Sequence, residues 1–223
     1  MDERKEDGND IRGEHSRSTQ QGNGQPYICR RVPDGNPNWM EAEAAVLADV
    51  VTGEAPRYRT QVQACWSERT LYLRFECEDE RVVSPYTKRD EPLFEADVVE
   101  CFIQPDEDGA VYYEFNISPH NIIFDSRIVC EPGKEKLFQP EWDARQLRTT
   151  VTYVAEPKRL LVYEAAIAFD DLERAPQPGD CWRINWFRID EGEDGIRTFD
   201  AWSPTGAVNF HVPERFGRFM FEA

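Results

Sequence analysis

Apolar and polar residues alternate along several short stretches of the chain. The alternation is clearest in residues 71–77 (LYLRFEC), 98–103 (VVECFI) and 111–117 (VYYEFNI). A period of two places successive side chains on opposite faces of an extended strand, so that one face is buried and the other is exposed. Together with the turn residues between such runs, the pattern predicts strands at residues 58–66, 70–78, 97–104, 111–118, 121–129, 148–155, 160–168, 181–189 and 217–222.

These strands follow one another with short turns and without a long amphipathic helix. Only residues 39–47 and 169–173 favour helix, the second as a single turn before a Pro-rich segment. The pattern predicts an all-β fold, a two-sheet antiparallel β-sandwich of jelly-roll-like form. We expect residues 26–223 to form this one domain. Residues 1–25 contain almost no apolar side chains and are predicted to be a disordered tail.

The charge of the chain argues against two classes of partner. The formal net charge is −17, whereas a nucleic-acid surface needs clustered Lys and Arg to replace counterions. The same acidity disfavours anionic membranes, and no apolar stretch approaches the roughly 20 residues of a transmembrane helix. We therefore expect neither a nucleic-acid nor a membrane partner. The acidity itself fits solubility and cation binding equally well.

The six cysteines are expected to be free thiols. Cys65, Cys77, Cys101 and Cys181 lie inside strand-like runs, where small core residues are common, and no Cys-x-x-Cys pair indicates zinc. Residues 1–7 are charged and lack the apolar region of a signal peptide. Free thiols and the missing signal together predict a cytoplasmic location.

Four aromatic residues lie in turn-like contexts: Phe94, Trp142, Trp202 and Phe210. Sugar rings pack their C–H faces on aromatic planes, and their hydroxyls need polar partners nearby. The four residues are therefore candidates for a saccharide site. The alternative is that each closes an end of the sandwich core; this is favoured for Trp142 and Trp202 and equally good for Phe94 and Phe210.

Several carboxylates are flanked by apolar residues inside strands, above all Glu100, Glu114 and Glu164. A glycosidase would need two such groups, one of them with a raised pKa, and calcium would need several hard oxygen ligands. The simpler alternative is a solvent-facing carboxylate paired with an arginine. Glu100 is the residue for which we favour a binding role.

Arg89 and Arg188 are the cationic candidates. Arg89 follows Lys88 in a loop, and Arg188 lies in the strand of residues 181–189 together with Asn185. Residues two apart share a strand face, so Asn185 and Arg188 are expected on opposite faces. An arginine can clamp a sugar diol, and pairing with neighbouring strand acids is an equally good interpretation.

The sequence contains no motif for a catalytic triad or for a phosphate-binding loop. The histidines are His15, His120 and His211, and neither a nucleophile elbow nor a glycine-rich phosphate loop occurs. A haem would need axial ligands, for which His120, His211, Met40 and Met220 are the candidates.

Several segments taken together resemble carbohydrate-binding module family 9, and in particular its stand-alone family 9-like proteins. The segments are residues 71–79, 94–103 (FEADVVECFI), 112–119 (YYEFNISP), 163–167 (YEAAI), 202–204 (WSP) and 210–219 (FHVPERFGRF). They occur in the family's order and span most of residues 27–223. The resemblance implies a β-sandwich that binds a mono- or oligosaccharide and is not itself catalytic.

The resemblance also implies a binding mode in which the sugar is held between two aromatic side chains. By local motif these fall on Phe94 and Phe210, where xylanase-attached modules carry Trp. Glu100 falls on an acid expected to accept hydrogen bonds from the sugar, and Glu114 stands where the family has an arginine. Family modules can also bind calcium structurally, with ligands that the motifs do not map onto this chain.

The sequence thus predicts a carbohydrate-binding module of carbohydrate catabolism, of a type associated with glycoside hydrolases. The predicted ligand-binding residues are Phe94, Phe210, Glu100, Arg89, Asn185, Arg188, Glu114 and Trp202. Two alternatives stay open: a glycoside-active enzyme that uses Glu100 and Glu114 as its acid pair, and a haem-binding domain of the DOMON type. The identity of the sugar and the oligomeric state are left open as well.

Overall fold

A computed structural model describes residues 25–223 of the chain, so the predicted tail lies almost wholly outside the described residues. The described residues form fourteen strands. The strands are β1 (Tyr27–Arg31), β2 (Ala44–Val46), β3 (Ala48–Asp49), β4 (Thr60–Trp66), β5 (Thr70–Glu78), β6 (Val98–Gln104), β7 (Val111–Ile117), β8 (Ile123–Val129), β9 (Leu137–Gln139), β10 (Arg148–Val154), β11 (Leu160–Ala168), β12 (Cys181–Glu191), β13 (Arg197–Ala201) and β14 (Gly217–Glu222).

The strands join into one curled sheet, which packs back on itself. Its main path runs β10-β11-β5-β4-β1-β14-β12-β6-β7-β8-β9, with β2 beside β4, β13 beside β12 and β3 beside β13. The three helical elements are short 3₁₀ turns at Leu93–Glu95, Phe169–Leu172 and Pro213–Arg215. The all-β prediction is confirmed, and each predicted strand is present to within a few residues. The single turn expected near residue 169 is confirmed as well.

Strand β1 makes the sheet mixed. It runs parallel to both of its neighbours, with Tyr27 opposite Phe219 on β14 and Arg30 opposite Cys65 on β4. Parallel neighbours need long connections instead of hairpins, and β1 is far along the chain from β14. The sheet is therefore antiparallel except at this one strand.

The helix predicted for residues 39–47 is wrong. This segment turns and then enters β2, where Ala44 lies opposite Gln63 of β4. The side-chain nitrogen of Gln63 donates to the carbonyl oxygens of Trp39 and Ala42, at 2.7 and 3.0 Å. Strand β4 and the Gln63 side chain already satisfy these backbone groups. A short helix with weak caps is therefore less stable than this extended conformation.

The main core lies between the two halves of the curled sheet. Leu73 and Phe75 from β5 face Cys101 of β6, Phe115 of β7 and Trp186 of β12 in one continuous buried cluster. This arrangement is that of a β-sandwich. All six cysteines are free, and four of them are buried. Within residues 25–223 no helix has the length and apolar character needed to cross a membrane.

Gly217 starts β14 where the buried ring of Trp202 passes against the backbone. A Cβ added at Gly217 would lie 2.3 Å from Trp202 Cζ3 and 2.5 Å from Cη2. The ring cannot retreat, because it packs on Trp186 with 4.8 Å between ring centroids. Close packing of Trp202 therefore requires glycine at this position.

We expect Gly217→Ala to lower the free energy of unfolding by about 1 to 3 kcal/mol, the usual cost of overpacking a core. Urea denaturation measures the loss. Trp202→Phe in the same chain removes the clashing ring atoms, so the double variant should lose less than the two single losses added together. Simple additivity of the two losses would show that the contact does not limit stability.

Candidate functional site

A pocket of about 520 Å³ lies over the sheet face that points away from the main core. A second, smaller buried cluster, which includes Phe102, Tyr112 and Phe187, lies beside the pocket on the same sheet face. The pocket has five aromatic walls and a polar floor. The walls are Phe94, Phe124, Phe138, Phe199 and Phe210, and the floor residues are Glu100, Glu114 and Ser126.

The strand register brings the floor residues together. Glu114 on β7 lies opposite Ser126 on β8, and Glu100 on β6 lies opposite Asn116 on β7. Because directly opposed residues point to the same face of a sheet, all four side chains face the pocket side. The even-numbered positions of these three strands therefore build the floor.

The two predicted clamp residues both reach this pocket, but they differ in exposure. Phe94 is 43% exposed and meets Phe124 edge to face, with 6.0 Å between ring centroids. Phe210 is 8% exposed and stacks flat on Phe187 at 4.1 Å. Phe94 thus stands free at the mouth, whereas Phe210 forms an inner wall.

The residues that the sequence did not single out supply much of the remaining wall. Phe138 lies on β9, is 47% exposed and meets the ring of His211 edge to face at 4.9 Å. Phe199 lies on β13. Neither strand was predicted, because each is short. Ser126 could be predicted from the sequence, since the alternation of β8 places it on the same face as Phe124.

Glu100 is buried at the floor of the pocket. The residue is 2% exposed, and its Oε1 atom finds no hydrogen-bond partner among residues 25–223. Burial raises the pKa of this carboxyl well above its usual range, and the nearby Glu114 raises it further. A buried carboxyl oxygen without a hydrogen-bond partner lowers the stability of the fold. Atoms that bind a ligand commonly have this property.

Glu114 is better satisfied than Glu100. Asn116 Nδ2 donates to Glu114 Oε1 at 2.9 Å, and His211 Nε2 lies 4.0 Å from Glu114 Oε2. Burial raises the pKa of Glu114. Burial also lowers the pKa of His211 to about 4, so its ring is neutral near pH 7, and its Nδ1 lies 3.0 Å from the Tyr112 hydroxyl.

The groups of this pocket suit the binding of a ligand that has both polar groups and apolar faces. A retaining glycosidase needs one of its two carboxylates ionised as a nucleophile, but burial raises the pKa values of Glu100 and Glu114 together. A haem would find one histidine, His211, and no methionine among the residues that line the pocket. Aromatic planes around buried hydrogen-bonding oxygens instead suit a polyol with apolar C–H faces.

Arg89, predicted as a ligand contact, lies outside the pocket lining. Its guanidinium binds the buried carboxylate of Asp125 at 2.5 Å and that of Asp143 at 2.8 Å. Asp125 also accepts the backbone N–H of Ala144 at 2.8 Å. Arg89 therefore ties the loop before Phe94 to the segment around Asp143, which indirectly holds a wall of the pocket in place.

Arg188 also lies outside the pocket, on the core side of β12. Its guanidinium binds Asp79 at 3.2 Å and Asp190 at 2.5 Å, and it donates to the Glu78 carbonyl at 2.7 Å. Burial raises the pKa of Asp79 to about 6, against the opposing effect of Arg188. Arg188 is thus a buried counter-ion of the core.

Asn185 and Trp202 have structural contacts of their own. Asn185 is fully buried; it accepts the backbone N–H groups of Trp186 and Ser203 at 3.0 and 2.9 Å and donates to the Ser203 carbonyl at 2.8 Å. Trp202 belongs to the main core. Four of the eight predicted site residues therefore line one pocket, and the other four lie elsewhere.

Two acidic groups could offer oxygen ligands to a metal ion. In each group the oxygens lie within 4.8 Å of one another; the groups are Asp79, Asp97 and Asp190, and Asp90, Asp125 and Asp143. Arg188 binds two members of the first group, and Arg89 binds all three of the second. Among the described residues neither group is free of an arginine, so both fit a calcium ion poorly.

The fold and the pocket define a class: β-sandwich modules with an aromatic-walled site on one sheet face. The chain belongs to the carbohydrate family 9 binding domain-like family, whose model matches residues 34–223. It is also similar to an extracellular protein of Arthroderma benhamiae, with 24% identity over 183 residues, 77% of this chain and 82% of the relative.

Solved structures share the fold at low sequence identity. A protein from Bacteroides uniformis superposes with a TM-score of 0.70 at 16% identity, over 89% of this chain and 100% of its own. A carbohydrate binding module family 9 from Caldicellulosiruptor kristjanssonii was solved with glucose and with cellotriose, with TM-scores of 0.63 and 0.65. Both superpose at 16% identity over 89% of this chain, and over 96% and 94% of their own chains.

Proposed function

We propose that this protein is a carbohydrate-binding module of carbohydrate catabolism and that the aromatic pocket is its sugar site. The observation that carries the proposal is the buried, unpartnered Oε1 atom of Glu100 beneath aromatic walls. In this mode a sugar ring lies between Phe94 and Phe210, and its hydroxyls donate to Glu100 and Glu114.

Family membership supports the proposal. The neighbours from Caldicellulosiruptor kristjanssonii were solved with glucose and cellotriose, and they share this sandwich. The pocket volume of about 520 Å³ suits a small sugar or a chain end. The hydroxyl of Ser126, which also lacks a partner within residues 25–223, supplies a further polar contact at the floor.

Calorimetric titration with glucose, cellobiose and cellotriose tests this function. Phe94→Ala removes the exposed wall, and we expect affinity to fall about three- to tenfold, as the loss of one aromatic contact predicts. Tyr153→Ala is the matched control, because Tyr153 is a similarly exposed aromatic residue outside the pocket. Absence of heat with every sugar, or an equal loss in both variants, would contradict the proposed site.

A further inference from the structure

The pocket combines two buried carboxyl groups with no lysine or arginine in its lining. Building on the proposed function, we propose that the preferred ligand is an amino sugar, a hexose whose protonated primary amine binds between Glu100 and Glu114. The inference concerns the chemical class of the ligand and goes beyond sugar binding as such.

Burial disfavours the charged form of both floor carboxyls, and no cation among the lining residues offsets this effect. Asn116 donates to one oxygen of Glu114, but Glu100 Oε1 is left without a donor in residues 25–223. His211 is the basic group near the pair; its pKa is lowered by burial first and by Lys136 second, so it carries no charge at neutral pH. Lys136 itself does not line the pocket.

A neutral sugar would leave the floor without a cation. Its hydroxyls can donate hydrogen bonds to the carboxyls, but they bring no charge that would stabilise the ionised form. An ammonium group brings three donors and the missing positive charge, and charge-assisted hydrogen bonds are roughly twice as strong as neutral ones. The buried pair therefore discriminates between a hydroxyl and an ammonium at the same ring position.

The aromatic walls of the pocket also favour a cationic ligand. Ring faces attract cations, most strongly where water is excluded, and the five phenylalanines surround the floor. One of them already attracts a cation at the rim: the guanidinium of Arg197 lies over the ring of Phe199, 5.2 Å from its centroid. Walls and floor together suit an organic cation with hydroxyl groups.

Calorimetric titration with glucosamine, glucose and 2-deoxyglucose at about pH 6.5 tests the inference, since an amine of this kind is protonated there. These ligands differ only in the group on one ring carbon. We expect glucosamine to bind at least tenfold more tightly than glucose and 2-deoxyglucose. Cyclohexylamine carries the same ammonium without hydroxyls, and we expect it to bind more weakly than glucosamine.

The variant Glu114→Gln should bring the ratio of glucose to glucosamine dissociation constants close to one. Glu164→Gln makes the same side-chain replacement on β11, outside this pocket, and should keep the ratio. The comparison of ligands on the wild-type protein needs no variant, so it decides the question even if Glu114→Gln fails to fold.

Equal binding of glucose and glucosamine overturns the amino-sugar inference and leaves the proposed function intact. Binding of cyclohexylamine as tight as that of glucosamine overturns the assignment to a sugar, and silence of all the sugars overturns both proposals.

Discussion

Replacing Arg188 with leucine is expected to lower the free energy of unfolding by about 3 to 5 kcal/mol, the usual cost of breaking a buried ion pair on one side. The change leaves Asp79 and Asp190 without the guanidinium that binds both. It also leaves Asp200, which is buried nearby, without its electrostatic support. Thermal unfolding should show a midpoint lower by roughly 6 to 20 °C.

The pH dependence of the same measurement gives a second readout. Burial raises the pKa of Asp79 to about 6 and the pKa values of Asp97 and Asp200 to about 7. Because these values exceed those of the unfolded chain, the folded state holds more protons between about pH 4 and 7. Stability from these groups is therefore full at the acid end and is lost as pH rises through 6 to 7.

The loss caused by Arg188→Leu should accordingly be smaller at pH 5, where the aspartates can be protonated, than at pH 8. Arg183→Leu is the control on the same strand, because Arg183 forms a more exposed pair with Glu107 at 3.2 Å. Exposed pairs contribute about 0 to 1 kcal/mol. A loss that is independent of pH, or as small as that of the control, would show that Arg188 does not hold the buried acids.

Glu100→Leu is expected to separate binding from stability. The change removes a buried carboxyl whose Oε1 atom has no partner in the described part of the chain. The free energy of unfolding should therefore rise by about 1 to 3 kcal/mol. The variant also removes an acceptor for a sugar hydroxyl, and the affinity for glucose should therefore fall by about 10- to 100-fold. Urea denaturation and calorimetric titration with glucose measure the two effects on one sample.

Glu164→Leu on β11 provides the comparison, since this carboxylate lies outside the pocket and should change neither quantity appreciably. For Glu100→Leu the stability is expected to rise while the affinity for glucose falls, and this opposition matters more than the size of either change. A destabilised Glu100→Leu variant would show that the carboxyl serves the fold. An unchanged affinity for glucose would place the sugar elsewhere.

The fold was largely predictable because most strands are long enough to show alternation. Residues 70–78 and 160–168, for instance, were located from their pattern alone. The short strands β2, β3, β9 and β13 escaped, since two to five residues carry too little periodicity to detect. Strand β1, with five residues, is missed for the same reason.

The site was only partly predictable, for a physical reason visible in β12. Nearly every residue of this strand is buried on both faces, so hydrophobicity does not reveal which face carries a pocket. Asn185 and Arg188 were correctly expected on opposite faces. Sequence could not reveal that one caps a turn near Ser203 and the other neutralises core acids. Phe138 and Phe199 were missed along with the short strands that carry them.

The position of β1 has a consequence for how the chain folds. Its backbone joins β4, from the first third of the chain, to β14 at its end, so the sheet can be completed only after β14 has been synthesised. Contacts of such long sequence separation are entropically costly and form late. The family match begins at residue 34, after β1. A fragment trimmed to that boundary would leave open the edge of β14 and the end of β4 at Cys65 and Trp66, and open edges promote aggregation.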